Sequence, residues 1–422
     1  MNIIKFRKKF NEIVFSGLVL TFFTFLGGGL GYLSQILMGR YLSVIEYGVF
    51  TAIFALSSFI NSPLSGIMLI YSRKVTFFNF HKNNILTLYY SFFKNTFAFV
   101  CIIIILTIFF KEKLSSILSY EIKYIYFLLV LLFFNLYKTI NSAFFNGLKQ
   151  NFWFGFTGSL SQFIRFTLFA VCVFFSLNLD QIFISVLISI LLTFVISSFI
   201  LIKIIKNISK NNIRNNNREI NYNSKSLSII VASISFIGLT QLDLFYVNYF
   251  FVEESGYFSL AAILGKTILY ISHGLSFALF PYASEASANK NDDFNNLFKV
   301  IIVSGIISIF FSLIFYFFSY EILNLVFNKD NDISIKILKF YGVVILPYSL
   351  IYILENYLIS KNKIVFAWIS ILFLPIQFVL VKNFVDNLID ILIVYALTGY
   401  LLLIIGLILM YFIFVVRQKK ND

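Results

Sequence analysis

Charge is scarce in this sequence. Only 12% of its 422 residues are charged, about half the share found in a soluble domain, which is about 25%. With 59% hydrophobic residues and a mean hydropathy of +0.89, the composition excludes a water-soluble globular class and puts nearly all of the chain in lipid. Acids are scarcer than bases, 19 against 33. A net charge of +14 would suggest a nucleic-acid partner in a soluble chain; here it follows mostly from loops on one side of a membrane. The two cysteines, Cys101 and Cys172, both lie inside apolar runs and read as buried thiols rather than a disulfide. No Walker motif, metal-ligand cluster or nucleophile constellation is present, so no cofactor, metal or catalytic residue is assigned and no enzymatic activity is expected. All four prolines, Pro63, Pro281, Pro347 and Pro375, fall within or at the ends of apolar runs, where local kinks can assist motion.

What the chain does have is long apolar runs. Backbone groups in lipid must be satisfied internally, and continuous runs rather than ten-residue alternation select helices over a barrel. The expected class is an all-α polytopic membrane protein with twelve spans, at 13–36, 45–70, 87–110, 123–146, 152–176, 181–204, 227–251, 256–280, 297–319, 340–359, 363–384 and 388–416. Placing the N-terminus inside puts 21 of the 33 Lys and Arg on the inner side and 8 on the outer side, with 4 within spans. That excess predicts both termini in the cytoplasm. The basic start, Lys5, Arg7, Lys8 and Lys9, leads into a long first span without a small-residue cleavage site, so no cleavable signal is expected.

A repeat divides the chain. QILMGRYLSVIEYGVFTAIFAL, from Gln35 to Leu56, returns as DLFYVNYFFVEESGYFSLAAIL, from Asp243 to Leu264. Laying Gly48 on Gly256 also aligns Tyr41 with Tyr249, Val44 with Val252, Glu46 with Glu254 and Phe50 with Phe258. Each copy is expected to be an apolar helix, a tight bend near the glycine, and a second apolar helix. The equal offset implies two halves related by an axis along the membrane normal. The expected organisation is a six-helix lobe over 1–205, a basic, Asn-rich cytoplasmic linker over 206–226, and a second six-helix lobe over 227–422.

Polar stripes at helical spacing mark the spans. The first carries Gly17, Thr21, Thr24, Gly28, Gly31 and Gln35; the second Thr51, Ala55, Ser58, Ser62 and Ser65. For these two, close helix packing and a cavity lining remain equally open. Other stripes carry charge: Lys138 with Asn135, Thr139, Ser142 and Asn146; Arg165 with Gly155, Ser159 and Gln162; Lys266 with Ser259, Tyr270 and His273. Asp243 follows Ser233, Phe236 and Thr240, and Glu355 follows Tyr348 and Tyr352. Each mid-membrane cation costs about 2.5–3.5 kcal/mol in lipid, and Lys94 is a fourth candidate that can snorkel. The cheaper arrangement is a shared wet cavity lined by Lys138, Arg165 and Lys266. Asp243 is alternatively a structural partner of Lys266 or Lys138, and His273 a proton relay or an ordinary interior residue. A cationic cavity asks for an anion, and a lipid-linked sugar with a diphosphate head fits, its phosphates held by charge-assisted hydrogen bonds.

GRYLSVIEYGVFTAI (39–53), FNGLKQNFWFG (145–155), DLFYVNYFFVEESGYFSLA (243–261) and LFPYASEA (279–286) together resemble the landmarks of the polysaccharide-transport branch of the multidrug/oligosaccharidyl-lipid/polysaccharide exporter superfamily, which includes the Wzx-type O-antigen flippases. The resemblance covers the whole chain in order and departs at Ser43, where many members have Gly. It implies two six-helix lobes of exporter (MATE-like) fold with the first, second, seventh and eighth spans at their interface. The implied function is flipping of a polyprenyl-diphosphate-linked O-antigen or capsule repeat unit across the bacterial cytoplasmic (inner) membrane. The implied partners are that lipid-linked oligosaccharide, the bilayer, polysaccharide polymerase or chain-length proteins, and a counter-ion, proton or sodium, that the residues leave open. Candidate substrate contacts are Lys138, Arg165, Lys266, Lys94, Arg40 and Tyr270; candidate coupling or ion-pair residues are Asp243, Glu355 and His273. Arg40 and Asp243 match motif positions and serve equally as structural residues. The alternatives are a drug exporter of the same fold, a peptidoglycan-precursor flippase, and a membrane-embedded polymerase or glycosyltransferase. The few acids in the spans disfavour the first, the span count the second, and the short outer loops the third.

Overall fold

The structure, a computed structural model, describes residues 2–80, 85–109, 112, 121–209, 224–270, 272–276, 294–329, 331–360 and 363–418. Apart from short connections, the described residues are helical. The helices are α1 (Asn2–Tyr41), α2 (Val44–Phe80), α3 (Ile85–Phe109), α4 (Ile122–Gly147), α5 (Asn151–Phe174), α6 (Leu179–Ser209) and α7 (Ser224–Phe250). They continue with α8 (Ser255–Gly265), α9 (Phe294–Phe317), α10 (Ser319–Phe327), α11 (Asp332–Ser360), α12 (Val365–Phe384) and α13 (Leu388–Gln418). Among the described residues, 11 stretches are long and apolar enough to cross a membrane, and α3, with 25 residues, occupies the third predicted span. The short helix α10 lies where the sequence reading placed only a connection. Most of the basic linker and the LFPYASEA segment lie outside the described residues.

Two compact units emerge. One comprises Met1–Tyr41 with Leu64–Tyr222, the other Leu42–Pro63 with Asn223–Asp422. Helix α2 contributes its first part to the second unit and continues from Leu64 in the first.

In the first unit, α1 packs along α5, and α6 lies against both α4 and α5. An aromatic core sits between α2, α3 and α4, where Tyr71 stacks on Phe92 at 3.9 Å and Phe93 on Tyr137 at 4.1 Å between ring centroids. A buried amide joins three helices there. Asn141 of α4 accepts from the Tyr89 hydroxyl at 3.1 Å and donates to Ser197 at 2.9 Å and Ser198 at 2.8 Å. Without water, each group of a buried amide needs such a partner.

In the second unit, the two copies of the repeat meet. The bend of each copy lies near its glycine, a few residues ahead of it: residues 42–43 separate α1 from α2, and 251–254 separate α7 from α8. Gly48 is the fifth residue of α2 and Gly256 the second of α8. A Cβ on Gly48 would lie 2.9 Å from the Gly256 nitrogen, and one on Gly256 would lie 1.9 Å from the Val44 carbonyl oxygen. Three residues on, the hydroxyls of Thr51 and Ser259 share a hydrogen bond of 2.6 Å across an offset of 208 residues. Thr51 also reaches back to the Tyr47 carbonyl at 2.9 Å, and Ser259 to the Ser255 carbonyl at 2.8 Å. Equivalent positions of the two copies thus contact each other. Serine at position 43 also has a reason. Its hydroxyl donates to Glu46 Oε2 at 2.7 Å and its N–H to the same oxygen at 3.0 Å, while Glu46 N–H approaches the Ser43 hydroxyl at 3.4 Å. This is a capping box that starts α2.

Gly256→Ala is expected to force the two helix starts apart and to cost about 1–3 kcal/mol, the usual range for overpacking. Thr51→Val, which removes one hydroxyl with its bonds to Ser259 and the Tyr47 carbonyl, should cost about 0.6 kcal/mol. Thermal unfolding of the detergent-solubilised variants checks the ranking; equal midpoints would contradict the close approach.

Candidate functional site

Arg165 and Lys138 both lie in the first unit. Arg165 projects from α5 at the end of the Gly155–Ser159–Gln162–Arg165 stripe, and that stripe is the face that packs on α1. A Cβ on Gly155 would meet Phe23 at 2.9 Å, Ser159 lies 3.2 Å from a Cβ on Gly27, and a Cβ on Gly31 would meet Gln162 Oε1 at 3.4 Å and Arg165 Nη2 at 3.5 Å. The α1 glycines facing α5 are therefore Gly27 and Gly31; Gly28, which the sequence pattern put on the same stripe, has nothing within 4 Å. Small residues let the two backbones approach and bring the guanidinium beside α1. From α4, Lys138 lies within electrostatic range of Arg165. Lys138 is partly exposed, and among the described residues no carboxylate pairs with it.

Lys266 is held differently, inside the second unit. It follows the last residue of α8, at a turn that interrupts a span continuing to Ser276. The Lys266 N–H bonds the Ala262 carbonyl at 2.9 Å, and its own carbonyl accepts from Leu269 at 3.0 Å. The ammonium donates to Asp243 Oδ1 at 2.7 Å and to Gln241 Oε1 at 3.3 Å. The Tyr341 hydroxyl from α11 donates to Asp243 Oδ2. Asp243 is 2% and Lys266 7% exposed, so this is a buried, hydrogen-bonded ion pair closed by a phenol. Gly265 makes room for that phenol: a Cβ there would overlap the Tyr341 ring at 2.2 Å. The pair lies within one unit.

A second polar chain runs from the same helix. The Tyr348 hydroxyl donates to the Tyr395 carbonyl at 2.9 Å and shares 3.0 Å with Thr398 Oγ1; Gln377 Nε2 reaches Tyr348 at 3.3 Å and Thr398 at 3.2 Å. Further along α11, Glu355, 4% exposed, has the Ser235 hydroxyl at 3.5 Å. His273 lies over Tyr352, ring centroids 4.0 Å apart, with Phe236 at 5.9 Å, and its Nε2 is buried without a hydrogen-bond partner. The remaining candidates are peripheral. Lys94 and Arg40 are exposed, and Tyr270 is 57% exposed beside His273. A cavity of about 400 Å³ beside the α7–α8 turn is lined by Glu253, Glu254 and Asp386, the wrong sign for an anion. Outside the spans, Lys329 donates to the Leu42 carbonyl at 2.6 Å; burial holds its ammonium below the ordinary lysine value, while the Glu46 carboxylate acts in the opposite direction.

Tyr341, Gln377 and Thr398 were not among the candidates. Tyr341 had a signal: it stands seven residues before Tyr348, on the helix face that also bears Tyr352 and Glu355.

The arrangement of helices is that of the MATE-like exporters. No protein-family model and no curated protein matches the sequence. Solved structures match nearly the whole chain. An inward-facing multidrug resistance MATE family transporter of the MOP superfamily superposes with a TM-score of 0.72 at 11% identity, covering 93% of this chain and 96% of the other. The lipid II flippase MurJ, in an inward closed conformation, gives 0.66 at 17% identity over 93% and 87%. A MOP superfamily transporter from Pyrococcus furiosus Vc1 (DSM3638), described as having a binding pocket of reverse polarity that suggests a different function, gives 0.63 at 14% identity over 94% and 96%. At these identities the likeness establishes the fold.

Asp243→Ala leaves the Lys266 ammonium buried without its carboxylate and should cost about 3–5 kcal/mol, whereas Asp243→Ala combined with Lys266→Met should recover most of it. Thermal or denaturant unfolding of both variants decides this; equal loss in the single and the double variant would contradict the pair.

Proposed function

We propose that the chain is a membrane flippase that carries a polyprenyl-diphosphate-linked oligosaccharide, an O-antigen or capsule repeat unit, from the inner to the outer leaflet of a bacterial cytoplasmic membrane. Residues 1–205 and 227–422 are taken as its two six-helix lobes and both termini as cytoplasmic. The observation that carries this reading is the pair of cations within the spans of the first unit, Lys138 and Arg165, with Lys138 partly exposed and no carboxylate on it among the described residues. A cation such as Lys138 within a span is costly unless an anion joins it. A diphosphate supplies that anion, and Arg and Lys suit it as a bidentate fork and a point charge. The fold supports transport: its solved neighbours include a lipid II flippase and multidrug transporters. The drug-exporter reading is the weaker one, since the cations within the spans outnumber the acids and one of the acids, Asp243, is already committed to Lys266. The lipid tail would stay in the bilayer while alternating access exposes the head group to each leaflet. An inside-negative potential would favour outward movement by about 2.3 kcal/mol per charge per 100 mV.

Lys138→Ala and Arg165→Ala are each expected to reach the membrane at normal levels and to reduce surface polysaccharide at least tenfold in cells that depend on this protein. A cysteine at position 138, in a background without Cys101 and Cys172, should react with a membrane-impermeant thiol reagent. Full polymer in both alanine variants, or complete protection of position 138 in every state, would overturn the cationic site.

A further inference from the structure

One end of the first unit carries exposed cations that the transport reading does not use. Packing defines that end. The Thr76 hydroxyl of α2 donates to the Gly147 carbonyl, at the end of α4, at 3.0 Å. Val75 of α2, Leu148 beyond α4, and Leu201 and Ile205 of α6 share one buried core. The last turns of α2 and α6 therefore lie together with the α4–α5 turn. Trp153 packs against the same core, and tryptophan favours the boundary between membrane and water. Helix α6 has 31 residues and so is about 46 Å long, against a hydrocarbon layer of roughly 30 Å. Its ends reach the level of the lipid headgroups.

We propose that this end of the first unit binds an anionic phospholipid, with Arg73 of α2, Lys149 of the α4–α5 turn, and Lys203 and Lys206 of α6 on its phosphate headgroup. On the orientation given above, the lipid belongs to the inner leaflet. The site is separate from the proposed transport site: Lys138 stands nine residues before Gly147, about 13 Å deeper along α4.

A surplus of bases alone does not mark a lipid site, because it also directs insertion. The pairing of basic with apolar side chains is what points to a lipid. Leu69 stands four residues before Arg73, Phe199 four before Lys203, and Ile202 four before Lys206, and all six are exposed. Residues four apart share a helix face, so each of these cations shares its face with an apolar side chain one turn away. A soluble anion would use only the basic half of such a face; a phospholipid uses both. On α6 the two pairs adjoin, and they continue the exposed apolar row of Leu192 and Val195. Long basic side chains can lay their stems on acyl chains and keep their charge at the phosphates. Acids offer little competition. Helices α4 and α5 and the part of α2 after Pro63 contain no Asp or Glu, and α6 contains only Asp180. Asp180 is in the first turn of α6, at the other end, where it accepts from Lys123 at 2.9 Å.

The test is native mass spectrometry of the full chain, released from detergent with dioleoyl phosphatidylglycerol or dioleoyl phosphatidylcholine. Wild type is expected to retain the anionic lipid at least about fivefold better, the scale set by one cation close to an anionic lipid surface. Lys203→Gln combined with Lys206→Gln should remove most of that preference. Phe199→Asn, which changes no charge, should weaken retention several-fold, and Lys123→Gln, at the opposite end, should leave it unchanged. All four positions are exposed, and thermal unfolding in detergent is expected to match wild type. Equal retention of the two lipids, or an equal loss in Lys123→Gln and the α6 lysine variant, would overturn the site. Full retention in Phe199→Asn, with inorganic phosphate displacing the lipid, would reduce it to a soluble-anion site and overturn the lipid assignment. Loss of farnesyl diphosphate binding in the α6 lysine variant, with phosphatidylglycerol retained, would assign these lysines to the transported head group and overturn it as well.

Discussion

A charge placed inside a bilayer must be answered locally, and that constraint organises the polar half of this protein. Water answers charges at the surface of a soluble domain; in lipid the protein or a ligand has to do so. The second unit answers Lys266 with Asp243, and anchors the carboxylate in turn with Tyr341. The first unit sets Lys138 within electrostatic range of another cation, Arg165. These are opposite solutions in one chain. The balanced pair has its counter-charge inside the protein; the anionic ligand proposed for Lys138 would supply one from outside.

Close packing of small residues makes these placements possible. Gly27 and Gly31 let α1 lie against the α5 face that bears Arg165, and Gly265 lets the Tyr341 ring reach across to Asp243. Gly48 and Gly256 bring the two copies of the repeat into contact, with Thr51 and Ser259 hydrogen-bonded at equivalent positions. Hydrophobic burial gives helices in lipid little reason to associate, so such contacts and the hydroxyl bonds beside them do much of the holding. The same glycines therefore serve architecture and function together.

Much of this was legible before the structure. Apolar runs marked the spans because nothing else in this composition can cross lipid, and the repeat was visible at Gly48 and Gly256. The bend falls near each glycine, as the repeat suggests, and a few residues ahead of it. Here Ser43 and Glu46 start the helix, and the glycine serves close approach. Helical spacing identified the face bearing Arg165 but not its neighbour, since periodicity names a side of a helix and not what lies opposite. That is why Gly28 was grouped with Gly31, and why Tyr341 and Asn141, whose partners are far away in sequence, escaped notice. Asp243 and Lys266 were recognisable as charges too deep to be alone, and their mutual distance came only from the folded chain.

The central claim is that cations within the spans hold an anionic head group. A structure of the protein in nanodiscs with a bound polyprenyl diphosphate tests it most directly. The account predicts phosphate oxygens within hydrogen-bonding distance of Lys138 and Arg165. Phosphates bound elsewhere, with those two side chains lying against acyl chains, would contradict it.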